Sequence, residues 1–291
     1  MGDAWISLLH TLPLICSTLA WQALSQRLWP GSFGIFLAAR SVREAVNTLL
    51  PVAQIGGEFI GARILTHGGA MASVAGASVI VDLSLEITTQ FIFTVLCLAL
   101  LWWSGHHPGT VQAIAGGLAI ALPLLLGFIL AQRWGLFRWL EQGLSRLLAN
   151  TRGLDDAIQA LYQNLPGLAR GSFWHLLSWP LTSLEVWLAL YLMGHPLTVE
   201  QALILFGLAH AVRSAAFVVP SGLGAQEAGF VLLGGVYGLS PEVALALSLI
   251  LRVREILLGA PVLVAWQVLE GRRIWLDRFI ATRARSPDQE R

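Results

Sequence analysis

Of the 291 residues, 56% are hydrophobic and 12% are charged. A soluble globular domain carries about 25% charged residues, so the composition excludes an ordinary water-soluble fold. The formal net charge of +1, with 18 basic residues that are all arginine, gives no field suited to nucleic acid or to strongly acidic partners.

The apolar residues fall in runs long enough to be membrane spans. Residues 111–131 carry no acidic or basic side chain, and a helix needs ~20 such residues to cross a bilayer. In chain order, spans are expected at about 4–26, 72–103, 111–131, 172–194 and 241–269. Residues 4–24 lack the basic leading region of a cleavable signal peptide, so the chain is expected to enter its first span at once. Two further segments, about 30–70 and 199–240, are apolar but interrupted by Pro and Gly. Between the spans, about 132–171 reads as a cytoplasmic connector of two amphipathic helices. Leu136, Leu140, Leu144 and Leu147 recur at helical spacing, then Leu161, Leu165 and Leu168. The simplest role for such a connector is to lie on the membrane surface. Residues 276–291 form a polar tail, and its end (RARSPDQER) is polar enough to be disordered.

Arginine placement sets the orientation. Arg133, Arg138, Arg146, Arg152 and Arg170 lie in the connector, and Arg272, Arg273, Arg278, Arg283 and Arg285 in the tail. Both regions, and so the C-terminus, are expected in the cytoplasm. The arginine-free loop SGHHPGT at 104–110 is expected outside, where His106 and His107 are solvated.

The two broken segments resemble each other. Residues 51–58 read PVAQIGGE and residues 220–227 read PSGLGAQE, an offset of 169 residues. The same offset pairs Gly69 with Gly238 and Glu86 with Glu255. Under the arginine assignment, residue 70 lies inside and residue 240 outside, so the copies run in opposite directions. An inverted-topology repeat of this kind is common among secondary transporters. Pro and Gly break helices, and freed backbone groups in a membrane must be buried in protein or line a wet cavity. Each break is therefore read as a re-entrant hairpin or broken helix. Glu58 and Glu227 follow the breaks, where the dipole of the next half-helix stabilises an acid in its first turn; a headgroup or proton contact is compatible with that place.

The remaining membrane charges form a short list. Asp82 and Glu86 are four residues apart and share a helix face, with Gln90 a turn on. Arg252, Arg254 and Glu255 lie on the last span, Arg213 before the second break, Arg40 and Arg43 before the first and Arg63 after it, and Glu185 interrupts 172–194. An unpaired charge at membrane depth costs several kcal/mol, so mutual pairing is expected, for example Asp82 or Glu86 with Arg252 or Arg254 across the repeat interface. No metal-binding, nucleotide-binding or hydrolase motif is present, and no cofactor is implied. His67, His175, His195 and His210 are scattered without ligand spacing. Cys16 and Cys97 read as small core residues. Trp29, Trp102, Trp103, Trp134 and Trp139 near span ends fit an interfacial aromatic belt.

The stretches NTLLPVAQIGGEFIGARIL, PSGLGAQEAGF and LSLILRVREILLGAPVLVAWQ together resemble the lysylphosphatidylglycerol synthase transmembrane-region superfamily, and within it the hopanoid-biosynthesis-associated HpnL group. The resemblance covers about residues 5–275. It implies a multi-pass protein of the bacterial inner membrane that works in lipid translocation or transport, with membrane lipids, hopanoids or other polar lipids, as partners and hopanoid-biosynthesis enzymes as possible associates. Its marked positions map to Asn47, Pro51, Gly56, Gly57, Glu58 and Arg63, then to Pro220, Gly222, Gly224, Gln226, Glu227, Arg252, Arg254 and Glu255. Two departures follow. No stretch here matches the soluble aminoacyl-transferase domain of the lysyl-lipid synthases, so aminoacyl transfer is not expected. The chain also shows one span fewer at its start than the resemblance implies, which fits a short N-terminal form.

The expectation is thus an all-α polytopic transmembrane bundle. A single domain spans 1–275, with repeat halves at about 30–103 and 199–272 and the two broken, re-entrant segments in inverted topology. A lipid headgroup is expected to pass the carboxylates and arginines, with Glu227 and Glu255 required. Two other readings stay open: an intramembrane enzyme using Glu58 or Glu227 as general base, and a non-catalytic scaffold for hopanoid biosynthesis.

Overall fold

The computed structural model describes residues 2–50, 56–105, 108–134, 153–216 and 223–285, with side chains described through 273 apart from a few near the chain start and the 104–113 loop. Pro51, Pro220, Gly222, His106, His107, Trp139, the four connector leucines at 136–147 and the tail beyond 285 lie outside this set. Among the described residues the structure is helical, without strands.

The α-helices among the described residues are, in order, α1 (Gly2–Ser25), α2 (Phe33–Leu49), α3 (Gly56–His67), α4 (Ala72–Trp103), α5 (Pro108–Arg133), α6 (Leu154–Gln163), α7 (Leu165–Leu192), α8 (Val199–Ala215), α9 (Ala225–Gly234) and α10 (Pro241–Arg285). A 3₁₀ turn, Gly235–Tyr237, follows α9. Among the described residues, three stretches are long and apolar enough to cross a membrane, Trp5–Ser25, Ala72–Trp103 and Ile114–Arg133. Two more helices have the length, α7 with 28 residues and α10 with 45. Their sequences explain their lower hydropathy: α7 is rich in Trp, Ser and Pro, and α10 carries Arg252, Arg254 and Glu255 in its apolar part.

Three features depart from the sequence expectation. α7 begins at Leu165, not near 172, because Asn164 caps it by accepting from the Gly167 N–H and Pro166 stands in its first turn. α10 runs on to Arg285, beyond the expected span end at 269 and into the expected tail. The second half of the connector does not lie free on a surface. In α6 the residues Ala157, Ile158 and Leu161 are buried against Leu24 of α1 and Val74, Ala77 and Val81 of α4. The apolar stripe was visible in sequence; the partner that covers it was not.

The core has two further clusters. One joins α4, α7, α8, α9 and α10 around Phe93, Cys97, Val186, Leu205, Leu208, Phe230 and Leu247. The other joins α1 to α4 around Trp21, Phe36, Leu65 and Val79. Trp21 is fully buried, meets Phe36 edge-on at 5.6 Å and donates its indole N–H to Ser78 Oγ at 3.1 Å. Cys16 and Cys97 are buried free thiols, as small core residues should be. Trp102, Trp103 and Trp134, at the ends of α4 and α5, are exposed, whereas Trp29 packs on Phe36 at 5.6 Å.

A candidate polar cavity within the bundle

The chain breaks expected from Pro and Gly occur where α2 gives way to α3 and α8 to α9. The start of α3 is built by α2. Asn47 accepts from the Gly57 N–H at 2.8 Å and donates to Glu58 Oε1 at 3.2 Å. A side chain on one helix thereby satisfies an orphan N–H at the start of another. Gly57 is required by space: a Cβ there would lie 2.3 Å from the Arg43 carbonyl oxygen. Glu58 takes the first-turn place expected for it. α9 starts differently. Gly224 has φ +80°, a conformation open to glycine, and its N–H donates to the first-turn Glu227 at 2.8 Å.

These starts bring charges together in two groups. In the first, Arg43 of α2 donates to Glu58 at 2.8 Å, Asp82 at 2.7 Å and Glu86 at 3.1 Å. Arg40, one turn earlier, grips both oxygens of Glu86 at 2.9 and 2.7 Å. Such bidentate pairs are the strong form of charged hydrogen bond. Asp82 is fully buried and its second oxygen meets His175 Nε2 at 2.9 Å. The Arg43 guanidinium also lies 5.6 Å from the Trp21 ring centre, a cation–π distance. Two carboxylates on one face of α4 are thus neutralised by two arginines on one face of α2.

In the second group Arg213 of α8 bonds Gln226 of α9 and donates to Glu255 of α10 at 2.9 Å. Arg254 bonds the fully buried Glu185 of α7 and lies 3.8 Å from Glu255. Glu185 also meets His10 of α1 at 2.9 Å, and His10 in turn meets Glu44 of α2 at 3.0 Å. Gln90 of α4 donates to Ser214 of α8 at 2.7 Å, joining the two groups.

The charges pair with one another as expected, but with other partners. Asp82 and Glu86 are held by Arg40 and Arg43, not by Arg252 or Arg254. Arg252 instead donates to Glu227 at 2.8 Å. α3 packs on both α2 and α4, and α9 on both α8 and α10, so Glu58, Asp82 and Glu86 meet the arginines of α2 and Glu227 meets Arg252 of α10, while Arg63 of α3 reaches across to Glu270 of α10.

Between the groups lies a cavity of about 520 Å³, within the range of small-ligand sites. Its wall carries Arg40, Arg43, Arg213 and Arg254 with Glu44, Glu58, Glu86, Glu185 and Glu255, together with His10, Asn47, Gln90, His210 and Gln226. Trp179, Phe206 and Phe230 supply an aromatic side, where His210 stacks on Phe206 at 5.3 Å. Several candidates from the sequence stand apart from this wall. Asp82 is sealed behind it, Glu227 and Arg252 pair beside the start of α9, and Arg63 bonds Glu270 on the exposed side of α3. Gly56 and Gly224 serve the helix starts.

Sequence reasoning left His10 and Glu44 unmarked and set His175 aside. The usable signal was a polar residue inside an apolar span, which applies to His10. Glu44 follows Arg43 directly and lies four residues from Arg40, so its helix face was readable, but not its partner on α1.

No curated protein and no solved structure matches the chain significantly. A family model, the lysylphosphatidylglycerol synthase TM region, matches residues 4–262, which takes in every residue that lines the cavity. With its membrane-length helices and this match, the chain belongs to the lysylphosphatidylglycerol synthase transmembrane-region family, as a multi-pass membrane protein of a lipid-related kind.

Proposed function

We propose that this protein moves a membrane lipid across or out of its bilayer, with the polar headgroup carried through the charged cavity and the apolar body left in the hydrocarbon. The observation that carries this is a 520 Å³ chamber walled by arginines and glutamates inside a bundle whose outer helices are apolar. Charged residues at such depth are costly, and more charges face this chamber than a structural ion pair needs. Glu58, Glu86, Arg213, Arg254 and Glu255 are assigned to the headgroup path. Asp82 positions Arg43, and Glu227 with Arg252 supports the start of α9.

Alternating access is attributed to an inverted-topology repeat, α2–α3–α4 against α8–α9–α10. Two facts favour it. α2 and α8 are each 17 residues long and each precedes a break and a short helix. An arginine of each, Arg43 in the second half of α2 or Arg213 in the last turn of α8, reaches Glu86 or Glu255, the acids 169 residues apart. The substrate is assigned to the hopanoids or another polar lipid on the sequence resemblance, and the location to the bacterial inner membrane with the C-terminus in the cytoplasm.

The test is lipid analysis of separated inner and outer membranes from cells with the gene, without it, and with Glu255→Gln. Transport predicts an unchanged total lipid pool and a changed distribution in both the deletion and the variant. Loss of a lipid species from the total pool instead marks an enzyme or an enzyme's partner, and an unchanged distribution removes the transport reading.

A further inference from the structure

His10 is the one basic side chain of α1 between Trp5 and Ser25, and it sits where four helices meet. Its Nε2 lies 3.0 Å from Glu44 Oε1 of α2 and its Nδ1 lies 2.9 Å from Glu185 Oε1 of α7. Nδ1 also lies 2.8 Å from Arg254 Nη1 of α10. A guanidinium nitrogen only donates and a carboxylate only accepts. Nδ1 therefore satisfies one of these neighbours at a time. With a proton it donates to Glu185 and opposes Arg254; without one it accepts from Arg254 and opposes Glu185. Nε2 keeps its N–H toward Glu44 in both states.

From this geometry we infer that His10 Nδ1 is a proton-binding site whose occupancy decides whether α1 shares Glu185 with Arg254 of α10 or leaves it to Arg254 alone. The charge of the wall agrees. Four arginines, Arg40, Arg43, Arg213 and Arg254, serve five glutamates of the wall, Glu44, Glu58, Glu86, Glu185 and Glu255, and Asp82 behind it, and an imidazolium at His10 offsets part of this excess of acid. Loss of the proton leaves Glu185 to Arg254 alone and loosens α1 from it. Because Arg254 also approaches Glu255 at 3.8 Å, the exchange reaches the second charge group. The inference rests on the transport reading only for its use: a proton taken or released at His10 couples the headgroup path to pH.

The experiment uses the full chain, labelled with ¹⁵N-histidine, in lipid nanodiscs. His10 signals are assigned by comparison with His10→Gln. Nitrogen shifts are followed from about pH 5 to about pH 10. The expected result is conversion of His10 from imidazolium to the neutral form protonated at Nε2, with the midpoint lower by about one pH unit in Glu185→Gln. Glu44→Gln serves as the second variant and is expected to change the Nε2 signal. A His10 that keeps one form throughout, or that takes the Nδ1-protonated neutral form, overturns the inference. If His10 titrates as stated while lipid distribution in cells is unaffected by the protein, the transport reading fails and the proton site stands.

Discussion

Arg43 shows how much one side chain carries. It reaches three carboxylates on two helices and lies against Trp21. Removing one partner of a buried ionic group costs about 3–5 kcal/mol, because the remaining charges stay buried and unpaired. Arg43→Ala is therefore predicted to lower the unfolding temperature in detergent well below that of Arg63→Ala, whose arginine is half exposed on the outside of α3. Equal losses in the two variants would remove Arg43 from its central place. Glu227 is partly exposed and acts on Gly224 N–H and Arg252. Glu227→Gln keeps an acceptor for that N–H, so it is predicted to retain more transport than Glu255→Gln, measured as lipid distribution in the same cells. The carboxylates in apolar sequence were recognisable one by one because they are rare there. Their partners were not, since pairing depends on which helices pack together.

At the scale of elements, the close approach of α3 to α2 is the feature most exposed to test. A Cβ at Gly57 meets backbone, the Arg43 carbonyl oxygen at 2.3 Å, whereas one at Gly61 meets the edge of the Trp21 ring at 3.1 Å. Gly57→Ala must push α3 off α2 and break the Asn47 cap, while Gly61→Ala needs the Trp21 ring to give by only a few tenths of an ångström. The prediction is a clearly larger fall in thermal stability for Gly57→Ala, and the reverse order would contradict the described packing. The ends of α4 were legible because a mostly apolar run, interrupted by Asp82 and Glu86, lies between glycine-marked turns at Gly69 and Gly105, both with positive φ. The course of α6 was not legible. A stripe such as Ile158 and Leu161 states that one face needs cover, and neither composition nor period says whether lipid or protein supplies it. The continuation of α10 past 269 was hidden in the same way, because arginines at 272 and 273 read equally as a solvated helix or as a tail.

For the whole molecule, the bundle architecture follows from hydropathy, while the polar chamber at its centre needed the packing to be seen. The inverted repeat makes a claim about sides of the membrane. Met71 and Ser240 are exposed and 169 residues apart, each just before a long helix. Cysteines placed at these two positions are predicted to react with an impermeant thiol reagent from opposite sides, Met71→Cys from the cytoplasm and Ser240→Cys from outside. The native thiols are buried and give a low background. Labelling of both from one side would rule out inverted topology. The central claim, that the charged chamber is a lipid path, is tested most directly by purified protein in liposomes containing a headgroup-labelled polar lipid, with accessibility of the label to an external quencher followed in time. Wild-type protein is expected to expose inner-leaflet label faster, and Arg213→Ala and Glu255→Gln, reconstituted to the same level, to lose that gain. Label movement that is equally fast in wild type and both variants, or no faster than in empty liposomes, would contradict it.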